Sequence, residues 1–215
     1  MPARTALYLI TPPELDPAKF APLLDEALEA GDVASFQLRL KGASDAAIAK
    51  AVKVLMPIVH KHNVAFLIND RPDLATKLDC DGVHIGQEDG TLAQARAIVG
   101  KDRILGVTCH DSMDLGFEAA DGGADYVAFG AFFASKTKEK PKGQATVDLI
   151  EDWAATITVP CVAIGGITPE NCGPLVAAGA DFLAVSDAVW NHKNGPAAAM
   201  KEFAEAIKAN TPSDA

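Results

Sequence analysis

Short apolar runs alternate with longer amphipathic ones from one end of the chain to the other. Residues 6–10 (ALYLI) form the first continuous apolar run, and Thr11-Pro12-Pro13 closes it. Over residues 17–29, Phe20, Leu23, Leu24, Ala27 and Leu28 fall at helical spacing, and Gly31 stops the segment. Residues 35–40 read as a second strand. Ser44 then caps a helix to about residue 62, with Ile48, Val52, Leu55, Ile58 and Val59 on one face. The alternation continues with strands at 65–68, 83–85, 104–108, 126–129, 161–164 and 182–185, and helices at 72–78, 91–99, 112–121, 146–156, 169–178 and 196–209.

Eight strand–helix units of roughly 25 residues each match a parallel (β/α)8 barrel, the TIM barrel, in count and length. The strands are uniformly apolar, as parallel strands covered on both faces should be. An open doubly wound sheet usually carries a glycine-rich first turn, whereas the first turn here is Thr-Pro-Pro. No shift in composition marks a second domain. The expected organisation is one α/β barrel over residues 1–209 and a disordered tail at 210–215.

Composition narrows the partners. The net charge of −10 argues against nucleic acid and anionic membranes, which need a basic face. No apolar run approaches the roughly 18 residues of a membrane span. Cys80, Cys109, Cys161 and Cys172 are scattered, without a CxxC pair or a secretion signal, and so read as reduced thiols of a cytoplasmic protein. A homo-oligomer is compatible with this composition.

In a barrel, chemistry collects after the C-terminal ends of the strands. The stretch Asp81-Gly82-Val83-His84-Ile85-Gly86-Gln87-Glu88-Asp89 is a short strand ending in a glycine and carboxylates. Such an end delivers oxygen ligands to a hard cation such as magnesium, or simply caps the next helix. Gln37, Arg39 and Lys41 alternate along the second strand, an arrangement that points all three to one side and suits an anion site. The third strand ends in Asn69-Asp70-Arg71 and the fifth in Thr108-Cys109-His110. The sixth opens into a loop carrying Ser135, Lys136, Thr137, Lys138, Lys140 and Lys142, either a solvated surface or a closing phosphate lid. Gly165-Gly166 after the seventh strand and Ser186-Asp187 after the eighth stand where barrels commonly bind phosphate. The inventory suits a diphosphate held through magnesium and a second substrate with a monophosphate.

At this point the chain resembles the thiamine phosphate synthase family over nearly all of its length. The resemblance is carried by Gln37-Leu38-Arg39-Leu40-Lys41, Asn69-Asp70-Arg71, the stretch from Asp81 to Asp89, Asp125-Tyr126, Thr137-Lys138 and Ile164-Gly165-Gly166-Ile167. It implies an enzyme that joins a hydroxymethylpyrimidine diphosphate to a thiazole phosphate, with or without an extra carboxylate, through a pyrimidine-stabilised carbocation. By resemblance, Asp70 and Asp89 bind Mg2+, and residues Gln37, Leu38, Arg39, Leu40, Lys41, Asn69, Thr108 and Lys138 hold the pyrimidine diphosphate. Arg39, Lys41 and Lys138 are then the cations that carry the catalysis, and Ser135, Lys136, Thr137, Gly166, Ser186 and Asp187 hold the thiazole phosphate. The chain departs from the family in lacking a proline in Ala134-Ser135-Lys136-Thr137-Lys138 and in offering Ser186-Asp187 where the family has Val-Ser. Two alternatives stay open: a related thiazole tautomerase that would use His110 to move a proton, and a non-catalytic phosphate-binding barrel.

Overall fold

The computed structural model describes residues 5–134 and 143–212. Its first half runs β1 (Ala6–Ile10), α1 (Pro17–Ala30), β2 (Val33–Leu38), α2 (Asp45–Lys61), β3 (Ala65–Asn69), α3 (Pro72–Lys77), β4 (Gly82–Ile85) and α4 (Leu92–Val99). The second half runs β5 (Ile104–His110), α5 (Met113–Asp121), β6 (Tyr126–Gly130), α6 (Val147–Thr156), β7 (Cys161–Ile164), α7 (Gly173–Ala177), β8 (Phe182–Val185), α8 (Asp187–Trp190) and α9 (Pro196–Asn210). Each strand pairs in parallel with the next, and β8 returns to β1, so the sheet closes into the expected barrel. Closure removes the sheet edges that an open sheet would expose.

Side chains alternate between two apolar clusters. Tyr8, Ile10, Leu67, Tyr126, Ala128, Val162 and Ala184 fill the inside of the barrel. The intervening residues, such as Leu7, Leu9, Phe36, Phe66, Val127 and Phe129, belong to the larger layer between strands and helices. The expected helix caps are present where side chains supply them: Ser44 Oγ accepts from the Ala47 N–H, and Thr91 with Gln94 forms a reciprocal capping box on α4.

Four expectations from sequence need correction. First, β2 ends at Leu38, so Arg39 and Lys41 lie beyond the strand rather than along it. Second, α7 begins at Gly173 instead of residue 169, because the Asn171 side chain accepts from the Thr168 N–H and donates to the Gly166 carbonyl, tying residues 166–171 into a turn. Third, the four-residue α8 was not foreseen; a single turn leaves no periodic pattern to read. Fourth, α9 continues through Asn210, the first residue of the expected tail, whose last positions 213–215 lie outside the described residues.

The N-terminal face of the barrel carries one repeated device. Asp81, Asp125 and Asp181 each stand just before an even-numbered strand and accept a backbone N–H from the strand before it. The bonds are Phe66 N–H to Asp81 at 2.6 Å, Leu105 N–H to Asp125 at 2.7 Å and Cys161 N–H to Asp181 at 2.8 Å. Asp81, which the sequence groups with the acids after β4, therefore sits at the opposite end of that strand and pairs with His60 at 2.8 Å. Asp181→Ala leaves the Cys161 N–H without its acceptor. It is expected to lower the unfolding free energy by about 1–3 kcal/mol, read by urea denaturation, with turnover unchanged because the reacting end is opposite.

Candidate active site

At the end of β2 the chain sends successive side chains to different places. Gln37 points into the barrel and is 3% exposed. Leu38 and Leu40 turn into the layer between strands and helices, so only their main chain is available to the mouth. Arg39 is half-buried, its N–H donates to Thr11 Oγ1 at 2.9 Å, and its guanidinium has no side-chain partner among the described residues. Lys41 is exposed and reaches back to Asp70 at 3.3 Å. A cleft of about 540 Å3 opens beside Lys41, between the loops after β1 and β2, with Lys50 on its wall.

Asp70 follows β3 in the left-handed region, with φ of 63°, a conformation that Asp and Asn adopt more readily than most residues. Its N–H donates to the His84 carbonyl at 2.8 Å, which aims the carboxyl over the barrel. There it meets Lys41 and the carboxyl of Asp89, whose Oδ2 accepts from the Gly86 N–H at 3.0 Å. Burial, then the neighbouring Asp89, push the Asp70 carboxyl above its usual range, while Lys41 pulls it down. Arg71 does not join this group; it turns outward to Asp45 and Asp73, both at 2.7 Å, and ties α2 to α3.

Two facing carboxylates disfavour each other's ionised form unless a cation lies near. Among the described residues, no group of three or more His, Cys, Asp or Glu side chains could hold a metal alone. Magnesium characteristically takes one or two carboxylates, keeps its waters and completes its shell with substrate phosphate. Asp70 and Asp89 fit that donor set.

Below the mouth runs a polar chain that the sequence reading missed. Gln37 Nε2 donates to Asn69 Oδ1 at 2.6 Å, and the Tyr8 hydroxyl donates to Gln37 Oε1 at 3.1 Å. Tyr8 meets the Tyr126 hydroxyl at 2.8 Å, Tyr126 meets His84 Nδ1 at 2.9 Å, and His84 Nε2 meets Thr108 Oγ1 at 2.8 Å. The inside of the barrel is therefore not uniformly apolar. Tyr8, Gln37, His84 and Tyr126 all occupy inward positions of their strands, and reading that period of two would have found them. Gln87 Nε2 donates to the Thr108 carbonyl at 2.7 Å and braces the end of β5. His110 ends β5 half-buried, with φ of 53°.

On the far side, Gly165 and Gly166 have φ of 112° and 62°. A Cβ on Gly166 would overlap the Ala134 carbonyl and stand 2.8 Å from the Phe133 oxygen, so only glycine lets the chain leaving β6 pass this close. Ser186 Oγ donates to the Thr11 carbonyl at 3.2 Å and joins the ends of β8 and β1. Asp187 is exposed, and its Oδ1 accepts from Asn191 Nδ2 at 2.6 Å in the next turn. β8 ends at Val185 and Ser186 follows it, so a Val-Ser pair is present one residue before the pair named from sequence. Ser135, Lys136, Thr137 and Lys138 lie outside the described residues.

The four cysteines are free and buried, and burial pushes the thiols of Cys80, Cys109 and Cys161 up to about 12. Such thiols are poor nucleophiles at neutral pH.

A family model described as thiamine monophosphate synthase matches residues 7–189. The chain is 60% identical over 197 residues to the thiamine-phosphate synthase of Rhodospirillum centenum, covering 92% of this chain and 95% of that protein. It is 50% identical over 208 residues to the thiamine-phosphate synthase of Erythrobacter litoralis, covering 95% and 96% respectively. Among solved structures, it superposes on the thiamine phosphate pyrophosphorylase of Pyrococcus furiosus with a TM-score of 0.82 at 27% identity, covering 97% of this chain and 98% of that one.

Proposed function

The chain belongs to the thiamine monophosphate synthase family, and on that premise we propose that it joins 4-amino-2-methyl-5-hydroxymethylpyrimidine diphosphate to hydroxyethylthiazole phosphate, giving thiamine phosphate and diphosphate. The observation that carries the assignment of the site is the meeting of Asp70, Asp89 and Lys41 at the barrel mouth, beside the half-buried Arg39. Paired carboxylates next to cations suit a diphosphate leaving group and its counter-ion. The tautomerase alternative has no diphosphate to hold and so no use for that arrangement, whereas a binding barrel would use it without turnover.

In this reaction the bond from the pyrimidine methylene to the diphosphate oxygen breaks, and its electron pair leaves with the diphosphate. The thiazole nitrogen supplies the pair for the new carbon–nitrogen bond, and no proton needs to move in that step. The protein's task is therefore to orient both substrates and to meet charge as it grows on the leaving group. Arg39 and Lys41 would contact the diphosphate, with Lys138 assigned to the same task by resemblance. Asp70 and Asp89 would hold magnesium, whose chemistry when bound is to neutralise charge on the diphosphate oxygens. Gln37, Asn69 and Thr108 would seat the pyrimidine. Gly166 and Ser186 would hold the thiazole phosphate together with Ser135, Lys136 and Thr137.

Asp187 takes no part in phosphate binding in this reading, because its carboxylate is engaged with Asn191. Asp187→Ser is accordingly expected to leave the Michaelis constant for the thiazole phosphate unchanged. Ser186→Ala should raise that constant by about five- to tenfold, the worth of one hydrogen bond to a charged group, made when the hydroxyl turns from the Thr11 carbonyl to the phosphate. Steady-state kinetics with the pyrimidine diphosphate saturating checks both. Equal effects in the two variants would contradict the assignment.

No described helix is long and apolar enough to cross a membrane. The reading places the reaction in the cytoplasm, on small phosphorylated substrates, and the net charge of −10 supports the expectation of no nucleic-acid partner. The direct experiment supplies purified protein with both substrates and magnesium and follows thiamine phosphate. Product that depends on both substrates and on magnesium is expected; its absence with correctly folded protein would reject the reading.

A further inference from the structure

The turn after β7 is clamped by a side chain that the bond-forming step does not need. Asn171 Oδ1 accepts from the Thr168 N–H at 2.8 Å, and its Nδ2 donates to the Gly166 carbonyl at 2.9 Å. Both partners are main-chain groups that cannot exchange roles. An N–H only donates and a carbonyl only accepts, so the orientation of the Asn171 amide is fixed. The N–H groups of Asn171 and Cys172 both return to the Thr168 carbonyl, at 3.2 and 3.1 Å, and seat Asn171 beside the turn it holds.

The carbonyls at this corner are all taken. The Ile164 carbonyl accepts from the Phe132 N–H at 3.2 Å, the Gly165 carbonyl from the Phe133 N–H at 3.0 Å, and the Gly166 carbonyl from Asn171. The amides are not: the N–H groups of Gly166 and Ile167 have no acceptor among the described residues. Ile167 is buried, and an unpaired N–H in such a residue is a cost that an anion's oxygen would relieve. The Gly166 carbonyl and the Ile167 N–H share one trans peptide and point in opposite directions. Holding the first on Asn171 therefore aims the second away from it. Glycine permits the φ of 62° at position 166 but does not impose it, and no Cβ fits there. The conformation has to be fixed from outside, and Asn171 does so.

We propose that Asn171 is the positioning residue of the thiazole-phosphate site: by holding the Gly166 carbonyl, it keeps the N–H groups of Gly166 and Ile167 available to the phosphate. The inference rests on the assignment of Gly166 to that phosphate made above. Without the clamp the peptide between Gly166 and Ile167 is free to rotate, and a carbonyl dipole then meets the anion where an N–H should. Asn171 acts through these two residues and need not touch the substrate. Because the clamp serves an anion, it favours the phosphorylated thiazole over the free thiazole alcohol. It contributes to binding the substrate and not to the reacting centre, so its loss belongs in the Michaelis constant rather than in kcat.

Two variants of the full-length protein separate the two bonds of the clamp. Asn171→Ala removes both, whereas Asn171→Asp keeps the acceptor for the Thr168 N–H and loses the donor to the Gly166 carbonyl. In each, the Michaelis constant for the thiazole phosphate should rise about 10- to 30-fold, the worth of a hydrogen bond to a charged group. The constant for the pyrimidine diphosphate, kcat at saturation, and the inhibition constant of the unphosphorylated thiazole alcohol should all stay unchanged. A parent-like constant for the thiazole phosphate in either variant overturns the proposal. So does an equal rise for both substrates, or an equal loss of affinity for the alcohol, since either marks a merely structural role. Should Asn171→Ala fail to fold, Asn171→Asp retains the Thr168 bond and is read in the same way. A second arm needs no turnover. Thiazole phosphate added to 15N-labelled parent protein should move the amide signals of Gly166 and Ile167, and at the same concentration should leave those of Asn171→Asp in place. Signals unmoved in the parent, or moved equally in both proteins, overturn the proposal. The expected shifts from a parent protein that forms no thiamine phosphate would support the clamp and strike the assigned reaction instead.

Discussion

Asp70→Asn and Asp89→Asn are each expected to lower turnover by about 10²–10³-fold while leaving the barrel folded. Asparagine is the discriminating replacement. It keeps the size of the side chain, tolerates the φ of 63° at position 70, and at position 89 can still accept from the Gly86 N–H. What it removes is the negative charge that a hard cation requires. The stability effect at position 70 should run the other way. The folded protein raises the Asp70 pKa, mainly by burial and then by Asp89. A raised carboxyl contributes stability at low pH that is lost as the pH climbs through the folded pKa. At neutral pH the ionised Asp70 is thus a cost in the metal-free protein, offset only in part by a largely exposed Lys41. Asp70→Asn should therefore melt no lower than the parent without metal. Added magnesium and diphosphate should raise the melting temperature of the parent by mass action and leave that of the variant unmoved. Unimpaired turnover at limiting magnesium, or an equal thermal shift in both proteins, would remove Asp70 from the metal site.

The fold was legible because its signal is redundant. Eight apolar runs at regular spacing left little choice of architecture, and β1, β7 and β8 fall on the residues the pattern marks. The position of the candidate site is legible near the strand ends: Gln37, Asn69, Asp70, Asp89 and Thr108 all reach the mouth or the inside of the barrel. Adjacency in sequence does not carry over to adjacency in space. Asp81 and Asp89 share one stretch of sequence, yet they lie at opposite ends of β4, one holding the Phe66 N–H and the other facing Asp70. Asn69, Asp70 and Arg71 read as one motif, yet Arg71 faces α2 and α3 because Asp45 and Asp73 compete for its guanidinium. The resemblance assigns Asp187 to the thiazole phosphate, yet its carboxylate is taken up by Asn191 one turn later. The inner chain escaped notice because Tyr8 and Tyr126 read as apolar strand residues. Their hydroxyls matter only once closure of the barrel brings β1, β4 and β6 together.

Arg39→Met should be the most damaging replacement among the described cations of the mouth. Lys41 already has a partner in Asp70, and its side chain is 58% exposed, so water screens much of its effect. Arg39 is half-buried, and its main chain is held by Thr11 Oγ1, which also donates to the Arg39 carbonyl at 3.3 Å. A guanidinium fixed at its root and lacking a carboxylate partner among the described residues presents its charge to whatever anion enters. Methionine keeps the length and the apolar stem, so packing should survive while the charge and the planar donor fork are lost. A cation about 4 Å from one phosphate charge is worth roughly 4 kcal/mol at an effective dielectric of 20. Competition with solvent and bound metal reduces that to about 2–3 kcal/mol, which corresponds to roughly 30- to 150-fold in kcat/KM. The loss should appear in kcat/KM for the pyrimidine diphosphate and leave the Michaelis constant for the thiazole phosphate unchanged, because Arg39 belongs to the β2 side of the mouth. Lys41→Met should cost less, by about tenfold or under, in line with its exposure. A larger loss in Lys41→Met than in Arg39→Met would reverse the assignment, making the lysine the principal diphosphate contact and Arg39 a brace for the end of β2.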